Sequence, residues 1–255
     1  MQSHNLKASR SHAQKQLVHF AFSAIIPLAV VAFWIWCFGT PTLVDWALLM
    51  FFWFCVGCLG ISVGFHRYFT HRSFQASPWL QWFMVILGSM AMQGPVVYWV
   101  ALHRSHHQHS DTPSDPHSPH TSHEKASLLR KLAAFLNGHI GWVARHEIPS
   151  PKYFAADVRQ NDIAQRANRF YLVLVAVGLL APGIVSFLFE PTFTRFCSGV
   201  VYGGFMRVIA VNHTTWAVNS VCHRFGSRAF QTSDRSCNNL LVTICLLYTS
   251  DAADE

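Results

Sequence analysis

Residues 66–107 read HRYFTHRSFQASPWLQWFMVILGSMAMQGPVVYWVALHRSHH, two histidine clusters separated by a largely apolar stretch. Within it, residues 79–100 are apolar enough to span a bilayer, but Gln81, Ser89, Gln93, Gly94 and Pro95 interrupt them. The reading of this segment decides the fold. A single crossing would put His66 and His71 on one side of a membrane and His103, His106 and His107 on the other, where they could not share a site. A segment lying along the interface, or dipping in and returning, keeps both clusters on one face. Trp79, Trp82 and Trp99 suit an interfacial position, so the second reading is the expected one.

Outward from this segment the chain is that of a membrane protein. Of its 255 residues 51% are hydrophobic, 14% aromatic and only 12% charged. Soluble domains carry roughly 25% charged residues, which excludes a disordered chain or a solvated binding module. Residues 17–38, 43–65, 170–189 and about 193–211 form apolar runs of about 20 residues, enough to cross a hydrocarbon core of about 30 Å. Asp45 interrupts the second near its start, and Arg207 near the end of the fourth is expected to mark where that helix leaves the membrane. Apart from Arg195 and Arg207, all basic residues lie in the N-terminal tail, the segment 66–169 and the end of the chain. Four spans put those three segments on one face, and the positive-inside rule makes that face cytoplasmic. The net charge of +7 then reads as affinity for an anionic membrane surface rather than for nucleic acid. Seven scattered Cys form no disulfide framework, and Cys55 and Cys58, though spaced as CxxC, sit inside an apolar run where packing is expected.

Sixteen His ask for a chemical explanation, imidazole being the commonest metal ligand. His66 and His71 are five residues apart, and on an ideal helix such positions point about 140° away from each other. Either the helix is irregular there or the two rings serve different metals. His103, His106 and His107 fall within about 100° of arc, so a helix aims all three the same way. Co-directed imidazoles without a thiolate suit iron, zinc or copper, and iron suits oxygen chemistry. Asn219 and His223 share a helical face beyond Arg207. His109, His117, His120 and His123 lie in a Ser/Pro/Asp-rich loop expected to be solvated, with Asp111 or Asp115 as partners to a ligand. Trp142 and Trp216 are candidates for lining a cavity.

These motifs resemble the membrane-bound fatty acid desaturases, specifically the acyl-CoA delta-9 (stearoyl-CoA type) branch in its bacterial form, over about residues 20–244. The resemblance is densest at Gly64-Phe-His66-Arg-Tyr-Phe-Thr-His71-Arg-Ser-Phe74, at Gln93-Gly-Pro95, and at Trp99 with His103-Arg-Ser-His106-His107. It continues through Ser110-Asp111, Asp115-Pro-His-Ser-Pro119, Gly138-His-Ile-Gly-Trp142 and His213-Thr-Thr-Trp-Ala-Val-Asn-Ser-Val-Cys-His223. It implies an all-α membrane protein, with four transmembrane helices carrying a cytoplasmic helical cap and a histidine-rich di-iron site. It implies two iron ions (Fe2+) held by His66, His71, His103, His106, His107 and His223, with Asn219 acting through a bound water. The implied reaction takes a long-chain acyl-CoA or acyl-lipid, oxygen and two electrons from a cytochrome b5 or ferredoxin-type donor, and leaves a cis double bond.

The resemblance also implies a further box, HNxHH after a Gly-Glu pair, shortly beyond Asn219 and His223. Here residues 236–244 lead instead into Cys245-Leu-Leu-Tyr-Thr-Ser-Asp-Ala-Ala-Asp-Glu255, which reads as the translation of a transposon-end sequencing adapter. The expected organisation is therefore a tail over 1–16, an incomplete desaturase domain over 17–244 and a non-native stretch over 245–255, with the chain as written expected to be inactive. The competing functions are a histidine-box alkane or fatty acid hydroxylase, which would insert oxygen, and a histidine-rich metal transporter. The latter would place ionisable residues inside spans facing a pore, whereas the clustered histidines here lie outside them.

Overall fold

The computed structural model describes residues 10–112, 115, 117–120, 126–145, 148–228 and 236–246, with only the backbone of 10–13 and 246. His123, residues 1–9 of the expected tail and residues 247–255 lie outside the described residues. Among those described the chain is helical, and an isolated bridge between Ser227 and Asn238 is the sole β contact.

Three helices are long and apolar enough to cross a membrane: α1, Gln14–Phe38; α2, Leu43–Thr70; and α7, Tyr171–Phe189. They coincide with three of the expected apolar runs. Between α2 and α7 come α3, Pro78–Ser89; α4, Val96–His109; α5, Leu128–His139; and α6, Asp162–Arg169. A continuous helix over 193–222, α8, follows, and α9, Leu240–Leu246, is the last. Large apolar side chains cover the outer faces of α1 and α7, among them Trp36 and Leu188, as lipid-facing surfaces require.

Local chemistry sets the helix ends. Gly39 stops α1 with φ at +91°, a conformation that costs glycine little. Thr42 then opens α2 through a capping box: its backbone N–H donates to Asp45 Oδ2 at 2.8 Å, and its Oγ1 accepts from the Asp45 N–H. This explains the lone carboxylate in the second apolar run. Asp45 also accepts the Ser198 hydroxyl at 2.6 Å, joining the start of α2 to α8.

The second half of α2, Phe54–Thr70, is π-helical, and it packs tightly on α3. The contact is possible because Gly60 meets Gly88: a Cβ on Gly60 would lie 2.5 Å from the Gly88 backbone nitrogen. From this contact the chain runs out along α3, turns at Met90–Gly94, and returns along α4. The ring centroids of His66, on α2, and His103, on α4, are 4.7 Å apart, so the out-and-back reading of 79–100 holds and the single crossing does not.

Helix α8 packs against α1, α2 and α7. Arg207 within it corrects one expectation. Rather than marking an exit to the headgroups it is completely buried, and its guanidinium donates to the carbonyls of Gly203, Met90 and Gly178. Cys55 and Cys58 are free thiols, as packing residues would be.

Candidate metal centre

The first histidine pair meets because the helix beneath it is not an α-helix. A π-helical turn closes i→i+5 bonds, which stacks residue i+5 over residue i. The His71 N–H donates to the His66 carbonyl at 3.1 Å, and the two Nε2 atoms come to 3.1 Å from each other. Of the two alternatives left by the spacing, the irregular helix is the one found.

On α4, His103 and His107 are one turn apart, with Nε2 atoms 2.9 Å from each other. They face the first pair: His71 and His107 have ring centroids 4.9 Å apart, and the donor atoms of His66, His71, His103 and His107 all lie within 4.8 Å of one another. Four imidazoles around one point, three of them partly exposed and His66 buried, form a donor set suited to a divalent transition metal.

His106 departs from the expectation that HxxHH aims three rings at one place. Its position at the edge of the 103–107 face lets its ring reach a second group of side chains. There its Nδ1 lies 3.1 Å from Asp115 Oδ1 and 3.0 Å from His117 Nδ1. All three residues are buried, so His117 is not the solvated loop histidine expected from its Ser/Pro surroundings. Burial alone would push the Asp115 carboxyl up, but the hydrogen bonds and charge of His106 and His117 outweigh it and hold it far below the usual carboxylate range.

His223 lies beside this second group. Its ring centroid is 5.5 Å from that of His106, and its Nδ1 lies 2.9 Å from Asp111 Oδ2. With Nδ1 so engaged, the buried His223 Nε2 has no hydrogen-bond partner among the described residues. An orphaned buried acceptor normally costs about 1–3 kcal/mol, so this nitrogen is suited to a cation. A histidine donating one nitrogen to a carboxylate and presenting the other inward is the usual arrangement of a metal-binding imidazole. Asp111 and Asp115 are thus partners to histidines, as expected. His120 bonds the His223 carbonyl through Nε2 at 2.8 Å, and His109 Nδ1 bonds the Ser105 carbonyl, so neither joins a donor cluster. His117 was the residue missed; only a loop folding back on α4, with no periodicity to report it, brings it to His106.

Arg104 locks the two boxes together. It donates to the carbonyls of Phe69 and Thr70, at the end of α2, and to that of Phe154. It also pairs in two-pronged fashion with Asp157, at 2.6 and 3.2 Å. Arg72 pairs with the same carboxylate. Burial raises the Asp157 carboxyl, and the two guanidinium groups more than offset it, holding it below the ordinary range.

A mostly apolar cavity opens between the helices and reaches the histidines. His66 and His103 form one wall; Trp142, Trp216 and Asn219 form another. Both tryptophans therefore line it, and Asn219 reaches it from a π-helical stretch, Val218–Cys222. A short polar chain crosses the lining: Trp99 Nε1 donates to Gln93 Oε1 at 2.9 Å, and Gln93 Nε2 donates to Thr215 Oγ1 at 3.0 Å.

Comparison with known proteins gives a consistent picture. Residues 44–249 match the family model described as "Fatty acid desaturase". The chain is 36% identical over 233 residues to a hex-5-enoyl-[acyl-carrier protein] acetylenase of Moorena producens, covering 90% of this chain and 72% of that protein. It is 36% identical to an sn-1 stearoyl-lipid 9-desaturase of Anabaena variabilis, covering 78% and 67%. With an icosanoyl-CoA 5-desaturase of Limnanthes douglasii the identity is 32%, covering 78% and 52%. The chain thus spans between about half and three quarters of the length of these relatives.

Proposed function

The chain belongs to the fatty acid desaturase family, a family of oxidoreductases, and from that premise we propose that its residues serve the introduction of a cis double bond into a long-chain fatty acyl group, in the delta-9 manner, the chain as written, without the expected HNxHH box, being inactive by itself in this proposal. The observation that carries this reading is the gathering of four imidazoles from two distant boxes into one group, two of which, His66 and His103, line an apolar cavity. The acyl group is carried as a CoA thioester or on a lipid; the relatives' names divide among lipid, acyl-carrier and CoA forms. Electrons come from a cytochrome b5 or ferredoxin-type donor.

In this reading His66, His71, His103 and His107 hold one iron. His106 and His223 hold the second, with Asn219 contributing through water, while Asp111 and Asp115 orient the rings of His223 and His106. The orphaned His223 Nε2 supports such a donor role. Iron, when bound, supplies the oxygen-dependent oxidation that an unactivated methylene requires, since such a carbon has no proton acidic enough for acid–base chemistry. The chain's own contribution is position. Apolar walls exclude water, and the Gln93–Trp99–Thr215 chain fixes the cavity's shape beside His66 and His103, so that one carbon pair lies nearest the metals.

Helix α8 acts as a fourth span in this proposal, which keeps both histidine groups on one face, the cytoplasmic one by the distribution of basic residues. The test uses the purified chain in detergent. Iron should co-purify and fall sharply in His66→Ala and His103→Ala, and saturated fatty acids should bind. In a host that supplies reductant, products are read by mass. Loss of two hydrogens supports the reading, and gain of one oxygen would instead favour the hydroxylase. A chain that binds no fatty acid would overturn it, whether or not it turns substrate over.

A further inference from the structure

Arg207 is a cation at the centre of the helical bundle, with every hydrogen bond that it makes among the described residues going to a backbone carbonyl. Burying a charge costs several kcal/mol even when it is hydrogen-bonded, so an arginine inside a membrane bundle calls for a reason. Its partners supply one. The Gly178 carbonyl, 2.9 Å from Nη2, faces Pro182 four residues on, which has no N–H to give it. The Met90 carbonyl, which Nη1 reaches, lies at the end of α3, where the helix no longer supplies a donor. One guanidinium therefore satisfies an acceptor on α7 and one at the tip of the α3–α4 hairpin.

That tip is strained. Met92 has φ at +61° and Gly94 at +100°, on either side of Gln93. A non-glycine residue in the left-handed region persists only where its surroundings over-determine it. Two further contacts do so. The Gly94 N–H donates to the Tyr171 hydroxyl at 3.0 Å, and Gly178 presses on Met90 so closely that a Cβ there would lie 2.6 Å from the Met90 Cβ. Held from two sides, the turn presents Gln93 to the cavity, where it meets Trp99 and Thr215. Neither Arg207 nor Tyr171 lines the cavity itself.

We propose that Arg207 and Tyr171 are positioning residues for the substrate: they clamp the Met90–Gly94 turn, keep Gln93 in its place in the cavity wall beside Trp99 and Thr215, and thereby set how sharply the cavity discriminates between acyl chains of different length. The inference rests on the acyl-cavity reading above. Without the clamp, the strained turn relaxes, Gln93 loses its fixed place, and the cavity accepts chains of neighbouring length more evenly.

The experiment uses the full chain in detergent with Tyr171→Phe, Arg207→Lys and Arg207→Met. Hydrogen exchange over residues 90–97 reads the clamp, and displacement of cis-parinaric acid by saturated fatty acids of about 14 to 20 carbons reads length preference, where each methylene discriminates by about tenfold or more in a fitted pocket. Tyr171→Phe keeps the ring and removes one hydrogen bond, so it should fold, and exchange at Gly94 should rise about five- to tenfold. The affinity ratio between the best chain and those two carbons away should flatten in Tyr171→Phe and Arg207→Lys, with Arg207→Lys nearer to wild type than Arg207→Met. A structural defect alone lowers the amount of folded protein but leaves this ratio unchanged. Unchanged length ratios, or unchanged exchange at the turn, in variants of a chain that binds fatty acid would overturn the clamp and leave the acyl cavity standing. A wild-type chain that binds no fatty acid overturns both.

Discussion

Replacing Arg104 by Ala should loosen the joint between the two histidine boxes before it affects any histidine directly. Its guanidinium serves four groups: the Phe69, Thr70 and Phe154 carbonyls and the Asp157 carboxylate. Hydrogen bonds to charged groups are worth about 1.5–3 kcal/mol each, which would sum to roughly 6–12 kcal/mol if all were dry. They are not: the Arg104 side chain is 24% exposed and that of Asp157 30%, so water replaces part of what is lost. Breaking a well-buried pair costs about 3–5 kcal/mol, and solvent screening brings the expectation here to about 2–4 kcal/mol. For a chain of this size that is a fall in Tm of about 5–15 °C. Since His71 follows Thr70 directly, and His103 and His107 flank Arg104, iron retention should fall about tenfold or more as well. Arg104→Lys offers one point charge in place of a planar fork and should recover less than half of the loss. Thermal unfolding in detergent and metal analysis of both variants check this. If Arg104→Ala unfolds within 2 °C of wild type, or Arg104→Lys is indistinguishable from it, the account of Arg104 as the joint is wrong.

Three other outcomes are expected. Gly60→Ala should cost about 1–3 kcal/mol or prevent assembly, because its Cβ would meet α3 backbone at 2.5 Å, whereas Gly57→Ala meets only ordinary contacts from 3.5 Å and should be close to neutral; expression and thermal unfolding distinguish them. The folded-state pKa of Asp157 is depressed, so its contribution is fully present above the ordinary value of 3.8 and is lost as pH falls below it; Asp157→Asn should therefore flatten the acid limb of a stability–pH curve and leave the neutral region merely lower. Asp111→Asn removes the carboxylate that holds His223 Nδ1, and on the proposed assignment should weaken iron binding at His106 and His223 about 10–100-fold while iron binding by the group His66, His71, His103 and His107 is kept, a difference that metal titration can resolve.

Much of the candidate site is legible in the sequence. Hydropathy marks α1, α2 and α7 because a span is a local property, decided by about 20 consecutive residues. The out-and-back course of 79–100 followed from a constraint rather than a pattern: clusters that share a site must lie on one face. The spacing of His66 and His71 was misleading only against an ideal helix, and the π-helical end of α2 removes the conflict. The HxxHH pattern directs three rings but does not choose their partners: an arc of about 100° is wide enough to reach two donor groups, and His106 lies with Asp115 and His117 rather than with His66, His71, His103 and His107. His117 looked solvated because Ser, Pro and Asp neighbours describe a loop without saying what it folds against.

The division is one of range. The sequence by itself determined that this is a helical membrane chain with histidine boxes and an apolar hairpin between them, because hydropathy, helix capping at Thr42 and ligand chemistry act between near neighbours. Only the tertiary structure decided which imidazoles lie together, that Asp111 and Asp115 bond His223 and His106, and that Arg207 is buried. Those facts depend on groups brought together from distant parts of the chain, such as the Gly178 and Met90 carbonyls around one guanidinium. Their partners are chosen by packing, and packing is not written in any single stretch of sequence.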